Sequence, residues 1–278
     1  MRLLLIAHGS RDPRYTASYE SLRCVLSREG HTAQVGHLGL CGPDVVEAAR
    51  RLARVGVNPA DAAEPIVAVP MFLNHGYHVA HDVPAAVGRA RAALASRARI
   101  VVAEPLGPDP LLTEAMESRL REIGVWPGDP DTAVVLASAG TSDPGARAVL
   151  ESVAARWAQT GWHSVIPAYA GAAAPDAARA VASARAAGAR DVVIASYFLA
   201  PGLLADRVAS AAPQVRMAAP FATPAEVDPA LPRLVLRRAA EACAAGRAAW
   251  NAPTVNQGPH TRGGRPRSGV RSGSALRR

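Results

Sequence analysis

The sequence predicts an α/β protein of two similar lobes, each a small parallel sheet flanked by helices. Three observations point there. Short apolar runs alternate with longer amphipathic segments along the 278 residues, the signature of right-handed strand–helix–strand crossovers. A breaker cluster, Trp126-Pro127-Gly128-Asp129-Pro130, interrupts the alternation, which then starts again. The loop-shaping residues also recur: Ala7-His8-Gly9-Ser10-Arg11-Asp12-Pro13 aligns with Ser138-Ala139-Gly140-Thr141-Ser142-Asp143-Pro144 at an offset of 131.

In chain order, residues 3–7 form an unbroken apolar run and read as a strand buried on both faces. Asp12-Pro13 is a helix start, and residues 15–28 read as the helix. Residues 32–38 make a weaker strand. Residues 44–55 make a helix with Val45, Ala48, Leu52 and Val55 on one side. A strand over 66–73, a helix over 83–96 begun at Asp82 and Pro84, a strand over 100–103 and a helix over 110–123 complete the first lobe. The second lobe reads as strand 132–138, helix 145–160, strand 164–169, helix 177–187, strand 191–199, a short strand 215–217 and a helix over 229–245. Pro43-Asp44 aligns with Pro175-Asp176, and Phe72-Leu73-Asn74-His75-Gly76-Tyr77-His78 with Phe198-Leu199-Ala200-Pro201-Gly202-Leu203-Leu204. The expected lobes are residues 1–126 and 131–246, and the Gly-, Pro-, Ser- and Arg-rich stretch 251–278 reads as a disordered tail.

Composition removes several function classes. All 31 basic residues are arginine, so neither a lysine Schiff base nor a phosphate loop ending in Gly-Lys-Ser/Thr can form. Six arginines lie in the last 17 residues, where no acid occurs, leaving +2 of the total +8 for everything before them. A nearly neutral body gives little support to a nucleic-acid partner, although the acid-free tail on its own fits an RNA or a membrane surface. Cys24, Cys41 and Cys243 show no Cys-x-x-Cys spacing, which fits a reducing compartment and argues against an iron–sulfur cluster or structural zinc. No apolar stretch approaches the ~20 residues of a membrane span. A cytoplasmic protein is expected.

Two histidine-bearing loops carry the chemistry. His8 follows the first strand and His78 the third, and in a parallel sheet both loops reach the edge where open α/β folds bind ligands. Neutral imidazole is a good ligand for divalent iron, cobalt, nickel or zinc. Two histidines leave a coordination shell incomplete, which suits an ion to be handed on. Taken alone, His8 beside a glycine reads as a loop-packing residue, and His75, His78 and His81 as a solvated loop. The repeat argues otherwise, because His8 aligns with Ala139 and His78 with Leu204 while the loop framework is kept. Arg11 and Arg14 read either as a solvated helix start or as partners for the carboxylates of an anionic ligand. Cys41 reads as a packing thiol, with a soft metal ligand as the alternative. His31, His37, His163 and His260 read as structural or surface residues.

The segments Leu4-Leu5-Ile6-Ala7-His8-Gly9-Ser10-Arg11-Asp12-Pro13 and Val69-Pro70-Met71-Phe72-Leu73-Asn74-His75-Gly76-Tyr77-His78-Val79-Ala80-His81-Asp82-Val83-Pro84 together closely resemble the sirohydrochlorin chelatases of the CbiX/SirB type. The resemblance covers residues 1–245. It implies a bilobal class II chelatase fold with an active-site cleft between two similar lobes. It also implies insertion of a divalent metal into sirohydrochlorin without ATP, for sirohaem with iron or for a cobalamin precursor with cobalt. Carried over by position, His8 and His78 are the catalytic and metal-binding residues, with His75 and His81 as candidate auxiliary ligands or bases. Ser10, Arg11, Phe72, Leu73, Gly76 and Tyr77 would contact the macrocycle. No permanently bound cofactor is expected; the divalent ion, Fe2+, Co2+ or Ni2+, is a substrate. Where relatives often carry an acid before the Pro43 equivalent, this chain has Gly39. That departure favours the alternative of a non-catalytic tetrapyrrole or metal carrier. Duplication within one chain makes a monomer the simpler expectation.

Overall fold

The computed structural model describes residues 1–55, 64–95, 98–171 and 173–251. The tail expected over 251–278 lies outside the described residues from 252 onward, as does the end of the helix expected over 83–96. Strands β1 (Arg2–Ala7), β2 (Thr32–His37), β3 (Ile66–Pro70) and β4 (Ile100–Val102) form a parallel sheet in the order β2-β1-β3-β4. Strands β5 (Thr132–Ser138), β6 (Ser164–Tyr169) and β7 (Asp191–Ser196) form a second parallel sheet, β6-β5-β7.

The helices are α1 (Pro13–Arg28), α2 (Val45–Arg54), α3 (Val83–Leu94), α4 (Pro110–Glu122), α5 (Pro144–Ala158), α6 (Ala177–Ala186), α7 (Leu203–Ala211) and α8 (Ala230–Asn251). Alternate side chains of β1 point to opposite faces, and both faces are covered, which explains its unbroken apolar run. Leu4 and Ile6 pack with α2 and α3. Leu3 and Leu5 enter a core that continues through α1, α4, α5 and α8 to Val134, Leu136 and Val193 of the second sheet. The outer face of that second sheet is closed by α6 and α7.

The halves are interlocked across this shared core. Helix α4 belongs in sequence to the first half but packs on β7, whereas α8, the last helix, packs on β3 and β4. Asp109 ties the two helices together. One of its oxygens caps α4 by accepting from Leu111 N at 3.0 Å, and the other takes Arg237 and Arg238 of α8.

The duplication extends to individual hydrogen bonds. Asp12 and Asp143 cap α1 and α5. Ser10 Oγ and Thr141 Oγ1 each accept, at 3.1 Å, from the backbone N–H two residues on. His37 N donates to Pro43 O and Tyr169 N to Pro175 O, both at 2.9 Å. Both prolines follow cis peptide bonds.

Several expected elements differ. The strand expected over 66–73 ends at Pro70, where Phe72 N donates to Pro70 O (2.9 Å) and turns the chain off the sheet. The strand expected over 191–199 likewise ends at Ser196. The expected strand 215–217 is a single bridge between Met217 and Ile194. Helix α7 was not expected: of its nine residues only Ala205 and Val208 are buried, too weak an apolar pattern to show. Asp82 does not start α3 as a capping residue. The chain is already helical from His78, in a turn of π-helix over His78–Asp82, and Asp82 caps nothing.

Candidate active site

Strand β1 lies between β2 and β3, so the chain crosses to one side of β1 and then to the other. This is the switch point at which open parallel sheets leave a crevice beyond the strand ends. Ile6 pairs with Pro70, and Met71 N donates to Ile6 O at 2.8 Å. The loops carrying His8 and His78 therefore leave the sheet side by side.

The first loop is fixed from three directions. Gly9 adopts φ +98°, and a Cβ there would stand 1.8 Å from Gly39 O, so the loops after β1 and β2 touch backbone to backbone. Gly39 N donates to His8 O at 3.2 Å. Gly9 N donates to the Tyr15 hydroxyl at 3.1 Å, and burial pushes that phenol's pKa up. His37 lies beneath this contact, 3% exposed, with Nδ1 donating to Pro43 O (3.2 Å) and Nε2 unpartnered. Burial lowers its pKa, partly offset by that hydrogen bond.

The second loop delivers His78 through the π-turn. Wider winding carries Val83 N back to His78 O, and single π-turns of this kind are frequent at functional sites. It brings the Asp82 carboxylate against the imidazole, with Nδ1 and Oδ2 2.6 Å apart. The His8 and His78 rings then meet edge to face, with centroids 4.6 Å apart and planes at 77°. Phe72 lies nearly parallel to His78, at 24° and 6.1 Å.

This geometry sets the tautomers. His8 Nδ1 faces Gly9 O at 3.0 Å, and His78 Nδ1 faces a carboxylate. Both partners can only accept, so each Nδ1 carries the hydrogen and each neutral ring keeps its lone pair on Nε2. The second sheet supplies no matching imidazole, since Ala139 and Leu204 stand in the equivalent places.

The other expected site residues are distributed unevenly. Ser10 Oγ is engaged in shaping its own loop. Arg11 is exposed and makes no ion pair among the described residues. Arg14, by contrast, pairs with Asp12 and, across the lobes, with Asp206 of α7, and it holds Asp12 below its ordinary pKa. Leu73 O accepts from the Tyr197 hydroxyl of the second half at 3.3 Å. Phe72, Leu73 and Gly76 are half-buried, and Tyr77 is exposed. His81 is drawn to Tyr77 instead of to the pair: its ring stacks at 4.4 Å and 19°, and Nδ1 donates to Tyr77 O. His75 is exposed and has no ring contact with His8 or His78 among the described residues. Cys41 is half-buried rather than fully packed away. Among the described residues no group of three or more His, Cys, Asp or Glu side chains is placed to hold a metal. Asp82 is the partner that the sequence reading missed, although a His-x-x-x-Asp spacing ahead of a helix was its signal.

Comparison with known proteins places this architecture. The CbiX family model matches the chain twice, over residues 2–123 and 133–242. A sirohydrochlorin cobaltochelatase of Methanopyrus kandleri is 33% identical over 141 residues, which span 43% of this chain and 94% of that one. One from Priestia megaterium is 29% identical over 221 residues, 77% of this chain and 69% of that one. Among solved structures, SirB from Bacillus subtilis with Fe3+ shares the fold with a TM-score of 0.68 at 22% identity, covering 89% of this chain and 98% of its own. With the family model matched by each half in turn, the chain belongs to the CbiX family.

Proposed function

We propose that the chain is a sirohydrochlorin chelatase, inserting a divalent metal into the macrocycle without ATP. The observation that carries the reading is the edge-to-face pair of His8 and His78, each with its lone pair on Nε2, at the switch point of the first sheet. Metal insertion removes two pyrrole protons and exchanges the ion's water ligands for ring nitrogens. A neutral imidazole can do either task, binding the incoming ion or accepting a proton. Asp82 keeps His78 in the tautomer and orientation that either task needs, as carboxylates do for metal-binding histidines elsewhere.

The macrocycle would lie between the loops of the two lobes, residues 1–126 and 131–246, against Phe72, Leu73, Gly76 and Tyr77. Arg11 is free to hold a peripheral carboxylate, and Ser10 keeps its loop in shape. Co2+ is the metal named for the curated relatives, and Fe2+ or Ni2+ suits the same nitrogen donors. His75 and His81 are a step removed and act at most while the ion enters. Among the described residues no helix is long and apolar enough to cross a membrane; we read the protein as a cytoplasmic monomer.

The test is anaerobic absorbance of sirohydrochlorin with Fe(II) and Co(II) offered separately. Wild type should convert the macrocycle faster than the protein-free rate. His8→Ala and His78→Ala should each lose that acceleration, and Asp82→Ala should slow it by roughly tenfold. Binding of the macrocycle without acceleration would leave a carrier in place of an enzyme.

A further inference from the structure

Three of the large apolar side chains that stand in water lie on loops or a helix start beyond the carboxyl ends of strands. Leu40 is 57% exposed, Tyr77 68% and Leu203 65%. They follow the carboxyl ends of β2, β3 and β7 respectively, so all three belong to the edges where ligands bind. Exposed apolar side chains gathered at one place mark a binding surface, whereas scattered ones need no explanation.

Tyr77 and Leu203 occupy the same position of the internal repeat, directly after Gly76 and Gly202. The next position has diverged, His78 against Leu204. The duplication has thus kept an exposed apolar side chain in both lobes while keeping the imidazole in one. Leu203 opens α7, and Asp206 lies three residues on, on the same side of the helix. Asp206 reaches across to Arg14 beside the His8 loop. That contact turns the Leu203 side of α7 toward the first lobe. Tyr77 lies edge-on to His78 with centroids 6.1 Å apart. Leu40 is held at φ +66°, a left-handed conformation that leucine rarely adopts. Its neighbour Gly39 is the residue bonded to His8 O. Neither the strained backbone nor the exposed side chain helps the fold, and residues held in this way cluster at ligand sites.

We propose that Leu40, Tyr77 and Leu203 grip the apolar faces of the macrocycle's ring, leaving its peripheral carboxylates to polar groups, with Leu203 as the second lobe's contact to the ring. The proposal rests on the tetrapyrrole reading above and extends it by giving the lobe without histidines a binding task. Leu40 and Leu203 are its new residues.

The experiment measures binding of metal-free sirohydrochlorin by fluorescence quenching, and insertion kinetics, for wild type, Leu203→Ser, Leu40→Gly and Val149→Ser. Val149, on α5, is also exposed and serves as the control. Each of the first two variants should weaken binding about tenfold, the effect of burying part of a leucine side chain. KM should rise with kcat little changed, because the grip acts on ground state and transition state alike. Leu40→Gly should melt no lower than wild type, since glycine relieves the left-handed residue, which separates lost grip from lost fold. Val149→Ser should bind as wild type does. If wild type binds and both leucine variants bind equally tightly, the grip is overturned and the chelatase reading survives. If wild type binds no sirohydrochlorin, the reading itself falls and the grip with it.

Discussion

Gly9→Ala should damage the fold and the site together, whereas the matched change in the second lobe should damage the fold alone. At Gly9 an alanine must accept φ +98°, and its Cβ would lie 1.8 Å from Gly39 O. The left-handed backbone costs about 1–2 kcal/mol. The clash is with a backbone oxygen that cannot rotate away, so the loop after β2 must retreat by roughly 1 Å or more to reach ordinary contact. That movement stretches the Gly39 N–His8 O bond, a loss of about 1 kcal/mol. Together the effects amount to about 3 kcal/mol, in the upper range for single substitutions. Gly140 has φ +84°, and its Cβ would stand 2.1 Å from Gly171 O, so Gly140→Ala carries nearly the same penalty beside Ala139 rather than His8. Urea unfolding of both variants gives the stability change, and metal insertion measured well below both midpoints gives the catalytic one. Similar losses of stability are expected, with insertion falling more than tenfold only for Gly9→Ala. The reasoning fails if Gly9→Ala unfolds at the wild-type midpoint. It fails equally if Gly140→Ala, fully folded in the assay, loses as much activity.

Two further outcomes follow from the same loops. A Cβ added at Gly39 would meet nothing within 4 Å, so Gly39→Glu should leave the melting temperature near that of wild type; its carboxylate should tighten Co(II) retention in equilibrium dialysis, and unchanged retention would show that position 39 does not reach the ion. Burial holds His37 below its ordinary pKa, so as the pH falls below about 6.5 the unfolded chain takes up a proton that the folded one resists. Stability present above that pH is therefore lost on acidification. Tyr169 fills the corresponding place with the same backbone bond, so His37→Tyr should fold, and its melting temperature should drop less than that of wild type between about pH 7 and pH 5.5. An equal drop would exclude His37 as the source.

The fold was legible where one physical demand dominated the residues. Strand β1 is apolar from Leu3 to Ala7 because helices cover both its faces. Asp12-Pro13 and Asp143-Pro144 announced their helices because a cap and a fixed φ act locally. Legibility failed where a residue answered to a distant partner. Phe72 and Leu73 extend an apolar run but belong to the site edge, so the expected strand was too long. Asp82 sits before Val83-Pro84 like a cap, yet its carboxylate is taken by His78, a choice made by the π-turn. The exchange of α4 and α8 between the sheets could not be read at all, because both helices carry ordinary amphipathic patterns that do not say which sheet they cover. At the site, the repeat and the family resemblance nominated His8 and His78, and neighbouring parallel strands bring their loops together. The resemblance also nominated His81, which the Tyr77 ring diverts.

The internal repeat separates what the fold requires from what the chemistry requires. Gly9 and Gly140 persist together because each lets two loop backbones touch. Asp12 and Asp143 persist because each caps a helix. These demands act on both lobes regardless of what the cleft does. The imidazoles answer to no such demand: Ala139 and Leu204 show that the same loops form without them. On the proposed chemistry one cleft needs one histidine pair, so a chain that joins both lobes can drop the second pair at no cost to the first. A relative about as long as one lobe, such as the Methanopyrus kandleri protein matched over 141 residues, has no second set of loops in its own chain to release. On the proposal above, the second lobe is freed from coordination but not from contact with the ring, which accounts for Leu203 remaining exposed where Tyr77 stands in the first lobe.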